Sequence, residues 1–346
     1  MGTIAFMPWI QFEDDFQVGD YEFVKIDPSS NPATNLPTPY DQIINCTLLH
    51  NQNNPTKFTA IKHKDESFIW DIPDTDYEGI FKTAEFLSAT CMDSRDIMGH
   101  DYLNSETFSL YIQKFDQNPI QYISQANRRR GSTGHNTFNI NVYSIKCADH
   151  IINRHTVKVD RAFFDALYSL YSNQTQGYEK IVGLIEDFNL ANTDYRNVHT
   201  SSEFLLLCGA IERIVKGSGN AQMFRHKISE ALNFVPTQPL NSTSKTFPTP
   251  KRLPWWQKNI NYYTGYRFYQ IDAFQNSKTL RDFWAIDFYR TRNKYAHGDK
   301  NNGNFIWLPQ EHLCIGSQVF LQLLKIYLQK RGLFTLRNFE ENRKLW

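Results

Sequence analysis

Val159-Asp-Arg-Ala-Phe-Phe-Asp-Ala-Leu-Tyr-Ser-Leu-Tyr171 is the stretch over which this chain changes its period. Phe163, Phe164, Leu167, Leu170 and Tyr171 recur at three- and four-residue spacing, the repeat of one face of an α-helix. The same spacing returns in Gly177 to Phe188, Ser201 to Lys216, Asn220 to Asn233, Ser277 to Ala296 and Pro309 to Arg331. Ser201 and Ser202 followed by Glu203 predict the start of the third of these helices, and Gly217 its stop. Ser277 and Gly298 bracket the fifth, and the Pro-, Ser- and Thr-rich run from Pro236 to Pro254 predicts a long loop ahead of it.

Upstream of Val159 the pattern is that of strands. Tyr21 to Ile26, Ile43 to Leu49, Phe58 to His63, Thr107 to Phe115, Gln121 to Gln125 and Thr137 to Ile145 are short runs of β-branched and aromatic residues. Several alternate, as in Phe138-Asn-Ile140-Asn-Val142, where one face is apolar and the other polar. Turn chemistry separates them, for example Asp27-Pro-Ser-Ser-Asn-Pro and His50-Asn-Gln-Asn-Asn-Pro. One helix, about Tyr77 to Ala89, interrupts the strands behind Asp74 and Asp76. The chain therefore reads as α+β, with a β-rich acidic module over 1–155 and a basic all-α bundle over 156–346.

The net charge of +1 hides a division. Through Asp116 there are 7 Lys and Arg against 19 Asp and Glu, and the remainder holds 30 against 17. The basic part suits phosphate. The acidic part docks on it, repels the wrong ligand, or is a solvated surface. Five scattered cysteines (Cys46, Cys91, Cys147, Cys208, Cys314), none spaced C-x-x-C, argue against a disulfide scaffold or thiolate zinc site and fit a reducing cytoplasm. Met1 to Phe12 has no cation before its apolar stretch and runs into Glu13-Asp14-Asp15, unlike a secretory signal. No apolar run reaches bilayer length, so neither a membrane location nor a membrane partner is expected. No cofactor is expected either.

The run that carries chemistry is Arg290-Thr-Arg292-Asn293-Lys294-Tyr295-Ala296-His297-Gly298. Histidine titrates near neutrality and can exchange a proton with a ribose 2′-OH or a leaving oxygen. Arginine keeps its charge and offers a fork of donors to phosphate. Asn293 and His297, four apart, stack on one helix face, where the amide can orient the imidazole. Arg292 and His297 are about 140° apart on an ideal helix. They converge only if the last turn unwinds at Gly298 or a second subunit completes the site. Arg-x4-His by itself is a weak signal, since it also occurs at Arg95 to His100 and Arg130 to His135. The latter reads as a turn and the former sits in the acidic part.

This run near the end of a late helix resembles the Arg-x4–6-His motif of the HEPN superfamily. The earlier helix Phe204-Leu-Leu-Leu-Cys-Gly-Ala-Ile-Glu212-Arg-Ile is similar in style to the glutamate-bearing helices of those domains. With a β-rich module in front, the whole looks most like the ApeA-like HEPN proteins of anti-phage abortive infection. The resemblance implies a dimerising all-α bundle and a metal-independent endoribonuclease site between subunits, acting as a toxin-like effector. Its products would carry a 2′,3′-cyclic phosphate and a 5′-hydroxyl. By motif, Arg292 is then the phosphate ligand, Asn293 the polar second residue and His297 the acid/base group. Arg290 and Lys294 would add RNA contacts, and the N-terminal module would answer a phage-derived or cellular trigger. Against this stands a bland reading in which Arg292 pairs with Asp287 or Glu212 and His297 caps a helix end.

Lys251-Arg252-Leu-Pro-Trp255-Trp256-Gln-Lys258 interleaves cations and rings, as an RNA-binding loop does, or as a loop pinned to its own bundle does. Arg128-Arg129-Arg130 is a second candidate phosphate contact or an exposed turn. Lys216-Gly-Ser-Gly-Asn220 lacks the ending of a P-loop and reads as a helix stop. His150 and His155 show no zinc spacing. Two rival classes remain at this level. One is a non-catalytic HEPN-like module that binds RNA or protein, and the other a metal nuclease centred on Asp71, Asp74, Asp76 and Glu78.

Overall fold

The alternation of Tyr21 to Ile26 becomes strand β4 (Tyr21–Ile26), which buries Tyr21, Phe23 and Ile26. It belongs to an antiparallel seven-stranded sheet in the order β3-β4-β5-β1-β6-β7-β8. The other members are β1 (Gly2–Met7), β3 (Phe16–Val18), β5 (Phe58–His63), β6 (Tyr111–Phe115), β7 (Tyr122–Gln125) and β8 (Thr133–Asn136). The computed structural model describes residues 2–7, 9–26, 58–66, 70–92, 104–115, 122–125, 133–136, 155–193, 198–217, 219–232, 280–298 and 307–336. They fall into two compact units, one running through Phe164 and the other from Asp165 onward.

In the first unit β1 is the middle strand, and its register aligns one buried row across four strands. Phe23 faces Ile61, Ile61 faces Ala5, and Ala5 faces Ile112. Such cross-strand pairs are the unit of sheet stability. Strand β2 (Ile10–Phe12) leaves the sheet and pairs in parallel with β9 (His155–Val157). Thr59 Oγ1 donates to the Ile10 carbonyl at 3.0 Å and ties β2 back to β5. Helix α1 (Asp74–Met92) starts at the predicted aspartate, and Phe86 to Met92 are all buried.

The structure corrects several local readings. The strand expected from Thr107 starts only at Tyr111, because Ser105–Phe108 form a 3-10 turn. Asn104 closes that turn, its Oδ1 accepting from the Thr107 amide at 3.0 Å. Thr133 to His135, read as a turn, lie on β8 and pair with β7. Strands β1 and β2 arise from the apolar N-terminal run, which the sequence reading used only to judge a signal peptide. The expected strands Ile43 to Leu49 and Thr137 to Ile145 lie outside the described residues.

Helix α2 (Arg161–Ser172) begins in the first unit, where Phe163 and Phe164 are buried, and ends in the second. The second unit holds α3 (Tyr178–Ala191), α4 (Thr200–Val215), α5 (Ala221–Ala231), α6 (Leu280–His297) and α7 (Pro309–Gln329). Helix α4 is central, packing on α3, α5, α6 and α7. Its N-cap is His199 rather than a serine, with Nδ1 accepting from the Ser201 amide at 3.2 Å. Lys216, in the left-handed region at φ +53°, stops it one residue before the glycine. Gly316 of α7 permits the close approach of these helices, since a Cβ there would lie 2.9 Å from Leu207 and 3.1 Å from Phe288.

The described residues are thus α+β, with an antiparallel sheet in the N-terminal region followed by helices. Among them, no helix is long and apolar enough to cross a membrane.

Candidate active site

Helix α6 is apolar around its middle, and Phe283 to Tyr289 are buried without a break. A helix enclosed on every side needs such a run. Its start is bound to α5. Arg281 Nη1 donates to the Leu232 carbonyl at 2.6 Å, and Ser229 Oγ donates to Asp282 Oδ1 at 2.7 Å. Its middle is fixed by Asp287, whose Oδ2 accepts from the Trp307 amide at 3.1 Å and lies 3.1 Å from His312 Nε2. His312 is fully buried among the rings of Phe204, Trp284, Phe288 and Trp307. The sequence reading missed this Asp–His pair, because its partners are 25 residues apart and meet only when α6 and α7 pack.

From Arg290 the helix emerges from the core. Arg290 and His297 are exposed, while Arg292, Asn293 and Lys294 are half-buried. Arg292 Nη1 donates to Asn293 Oδ1 at 3.1 Å, its other terminal nitrogen lies 3.8 Å from Glu212 Oε2, and its guanidinium is 5.6 Å from the Tyr289 ring centre. Of the two acids expected as partners for Arg292, Glu212 is the one that approaches, and Asp287 is committed to Trp307 and His312. The Asn293 amide engages Arg292 instead of orienting His297. The imidazole of His297 makes no hydrogen bond to a described residue.

The helix keeps its geometry to the end. Gly298, at φ +66°, donates its amide to the Lys294 carbonyl at 3.0 Å, so the last turn does not unwind. Arg292 and His297 therefore stay about 140° apart. One of the two routes to convergence is closed within the chain, and the other requires a second copy.

Glu212 lines an open groove of about 1010 Å³ along α4, together with Ser202, Leu205, Leu206, Gly209 and Arg213. Its Oε1 is buried and lacks a hydrogen-bond partner among the described residues. Cys208, one turn earlier on α4, has its thiol pushed far up by burial, then by Glu212 and against the pull of Arg292, which favours the protonated thiol.

The remaining candidates separate. Lys251, Arg252, Trp255, Trp256 and Lys258 lie outside the described residues, as do Arg128 to Arg130 and His150. Asp71 and Glu78 are exposed near the start of α1, and among the described residues no three His, Cys, Asp or Glu side chains group as metal ligands do. Cys91, Cys208 and Cys314 are free thiols. Comparison with protein-family models, with curated proteins and with solved structures finds no match for this chain.

Proposed function

We propose that this chain is a metal-independent endoribonuclease of the HEPN type, working as a homodimer with Arg292, Asn293 and His297 as its catalytic set. The observation that carries the reading is the end of α6. A helix anchored in the core delivers an exposed imidazole, with no hydrogen bond to a described residue, at the same end as Arg290, Arg292 and Lys294, so acid/base and phosphate-binding groups share one rigid element.

In the reaction, His297 takes the proton of a ribose 2′-OH, and that oxygen attacks the adjacent phosphorus. The bond to the 5′-oxygen breaks, and the leaving oxygen takes a proton from a water molecule, whose hydroxide then recovers the proton held by His297. The strand is left with a 2′,3′-cyclic phosphate at one end and a 5′-hydroxyl at the other. Arg292 donates to the non-bridging oxygens as charge accumulates, with Asn293 and Glu212 holding its fork in place. Since Arg292 and His297 of one chain face apart, the working site joins Arg292 of one copy to His297 of the other. Such an activity suits a toxin-like effector in abortive infection, restrained through the N-terminal module until a phage-derived or cellular trigger arrives.

The test is cleavage of RNA by purified protein with and without a chelator. His297→Ala is expected to lose cleavage while keeping its circular dichroism and melting temperature. Full activity in that variant, or strict dependence on Mg²⁺, would sink the assignment. The Arg292–Glu212 contact favours a second reading, a non-catalytic HEPN-like module that binds RNA or protein. Binding without cleavage by the wild-type protein, across RNAs and salt conditions, would select it.

A further inference from the structure

Three helix ends of the second unit meet around Tyr327, and the charge collected there is almost entirely positive. Lys180 Nζ donates to the Arg213 carbonyl at 2.9 Å and stands 5.4 Å from the Tyr327 ring centre. Arg331 lies 4.7 Å from the centre of the same ring and donates to the Gln176 carbonyl at 2.5 Å. A Cβ at Gly177 would come within 3.0 Å of both terminal nitrogens of Arg331, and this glycine sits at φ +85°, so the turn before α3 is shaped to seat the guanidinium. Arg213 in the last turn of α4 and Lys216 at its left-handed cap bring the cations to four.

Among the described residues only Arg213 of these four has a carboxylate partner, Asp187. Helix dipoles account for part of the set, because Arg213, Lys216 and Arg331 stand at or just past helix C-termini, where cations are favoured. Lys180 does not fit that account. It occupies the first turn of α3, where the dipole opposes a cation. Its pKa is lowered by burial and then by Lys216, Arg331 and Arg213. A fold that gathers charge against itself in this way gains when an anion arrives. Donors remain for one, since Lys180 uses one of its three N–H groups and Arg331 one of its five on the carbonyls named above.

One side of the cluster, at the end of α4, borders the groove of the candidate site. Arg213 and Lys216 line the same groove as Glu212, the carboxylate beside Arg292. The groove's two acids, Asp187 and Glu212, each face a cation already. We propose that Lys180, Lys216 and Arg331 form a phosphate-binding track that holds the backbone of an RNA strand as it runs along α4 toward Arg292. This rests on the nuclease reading for its choice of RNA, while the residues and the groove are independent of the chemistry at His297.

The test is fluorescence anisotropy with a labelled, 2′-O-methylated single-stranded RNA that cannot be cleaved, over a series of salt concentrations. Lys180→Gln/Lys216→Asn removes two charges and should weaken binding about tenfold and make the log–log salt slope shallower by about 1.4. Arg331→Lys keeps the charge but not the fork, and should weaken binding less. Lys25→Gln/Lys64→Gln in the first unit serves as a charge-matched control with unchanged binding. Unchanged affinity and slope in a folded Lys180→Gln/Lys216→Asn variant, while wild type cleaves RNA and His297→Ala does not, would overturn this track alone. A wild-type protein that binds no RNA would overturn both readings. Loss of binding to phosphatidylserine vesicles with RNA binding intact would reassign the cluster to a membrane surface.

Discussion

At the scale of single residues, Arg292 and Asp287 show how differently two charges on one helix are used. Arg292 is held by Asn293 and approached by Glu212 at the edge of an open groove, so its fork is oriented yet reachable. Arg292→Lys keeps the charge but loses the two-pronged geometry, and we expect cleavage to fall about 100-fold with RNA affinity changed only a few-fold, measured as kcat against Kd. Asp287 is buried with the Trp307 amide and His312 on one oxygen. Asp287→Ala strands both donors in an aromatic pocket and should cost about 2–4 kcal/mol in urea unfolding. Asp287→Asn keeps an acceptor and should cost less.

At the scale of elements, the separation between Arg292 and His297 depends on α6 holding a regular last turn and on α7 pressing against its middle. Gly316 is the contact point between α7, Leu207 of α4 and Phe288 of α6. Gly316→Ala should destabilise the second unit by about 1–3 kcal/mol, because a methyl group at 2.9 Å from Leu207 forces the helices apart. A thermal melt of the full chain checks this. Should α6 shift with it, cleavage would drop by more than the unfolded fraction accounts for. The sequence located these helices well, since each presents a stripe of apolar residues at helical spacing. It misjudged ends where the cap is unconventional, as at His199 and Lys216, because capping depends on backbone angles that residue type alone does not set.

At the scale of the whole molecule, the proposed site is incomplete in one copy. If Arg292 and His297 act across two subunits, mixing Arg292→Ala with His297→Ala should restore about one quarter of wild-type activity, the share of intact composite sites in randomly exchanged dimers. Two inactive proteins that stay inactive after verified subunit exchange would argue against a shared site. By itself the sequence determined the series of helices after Val159, the strands at Tyr21 to Ile26 and Phe58 to His63, the split of charge along the chain and the run from Arg290 to His297. These follow from local spacing, which folding converts directly into faces of helices and strands. Only the tertiary structure decided that β1 lies in the middle of the sheet, that Glu212 rather than Asp287 meets Arg292, that His312 closes on Asp287, and that Lys180 and Arg331, from two helix ends, share the Tyr327 ring. Each of these joins residues far apart in the chain, and such pairings are fixed by how side chains fill a common core, which no local pattern encodes.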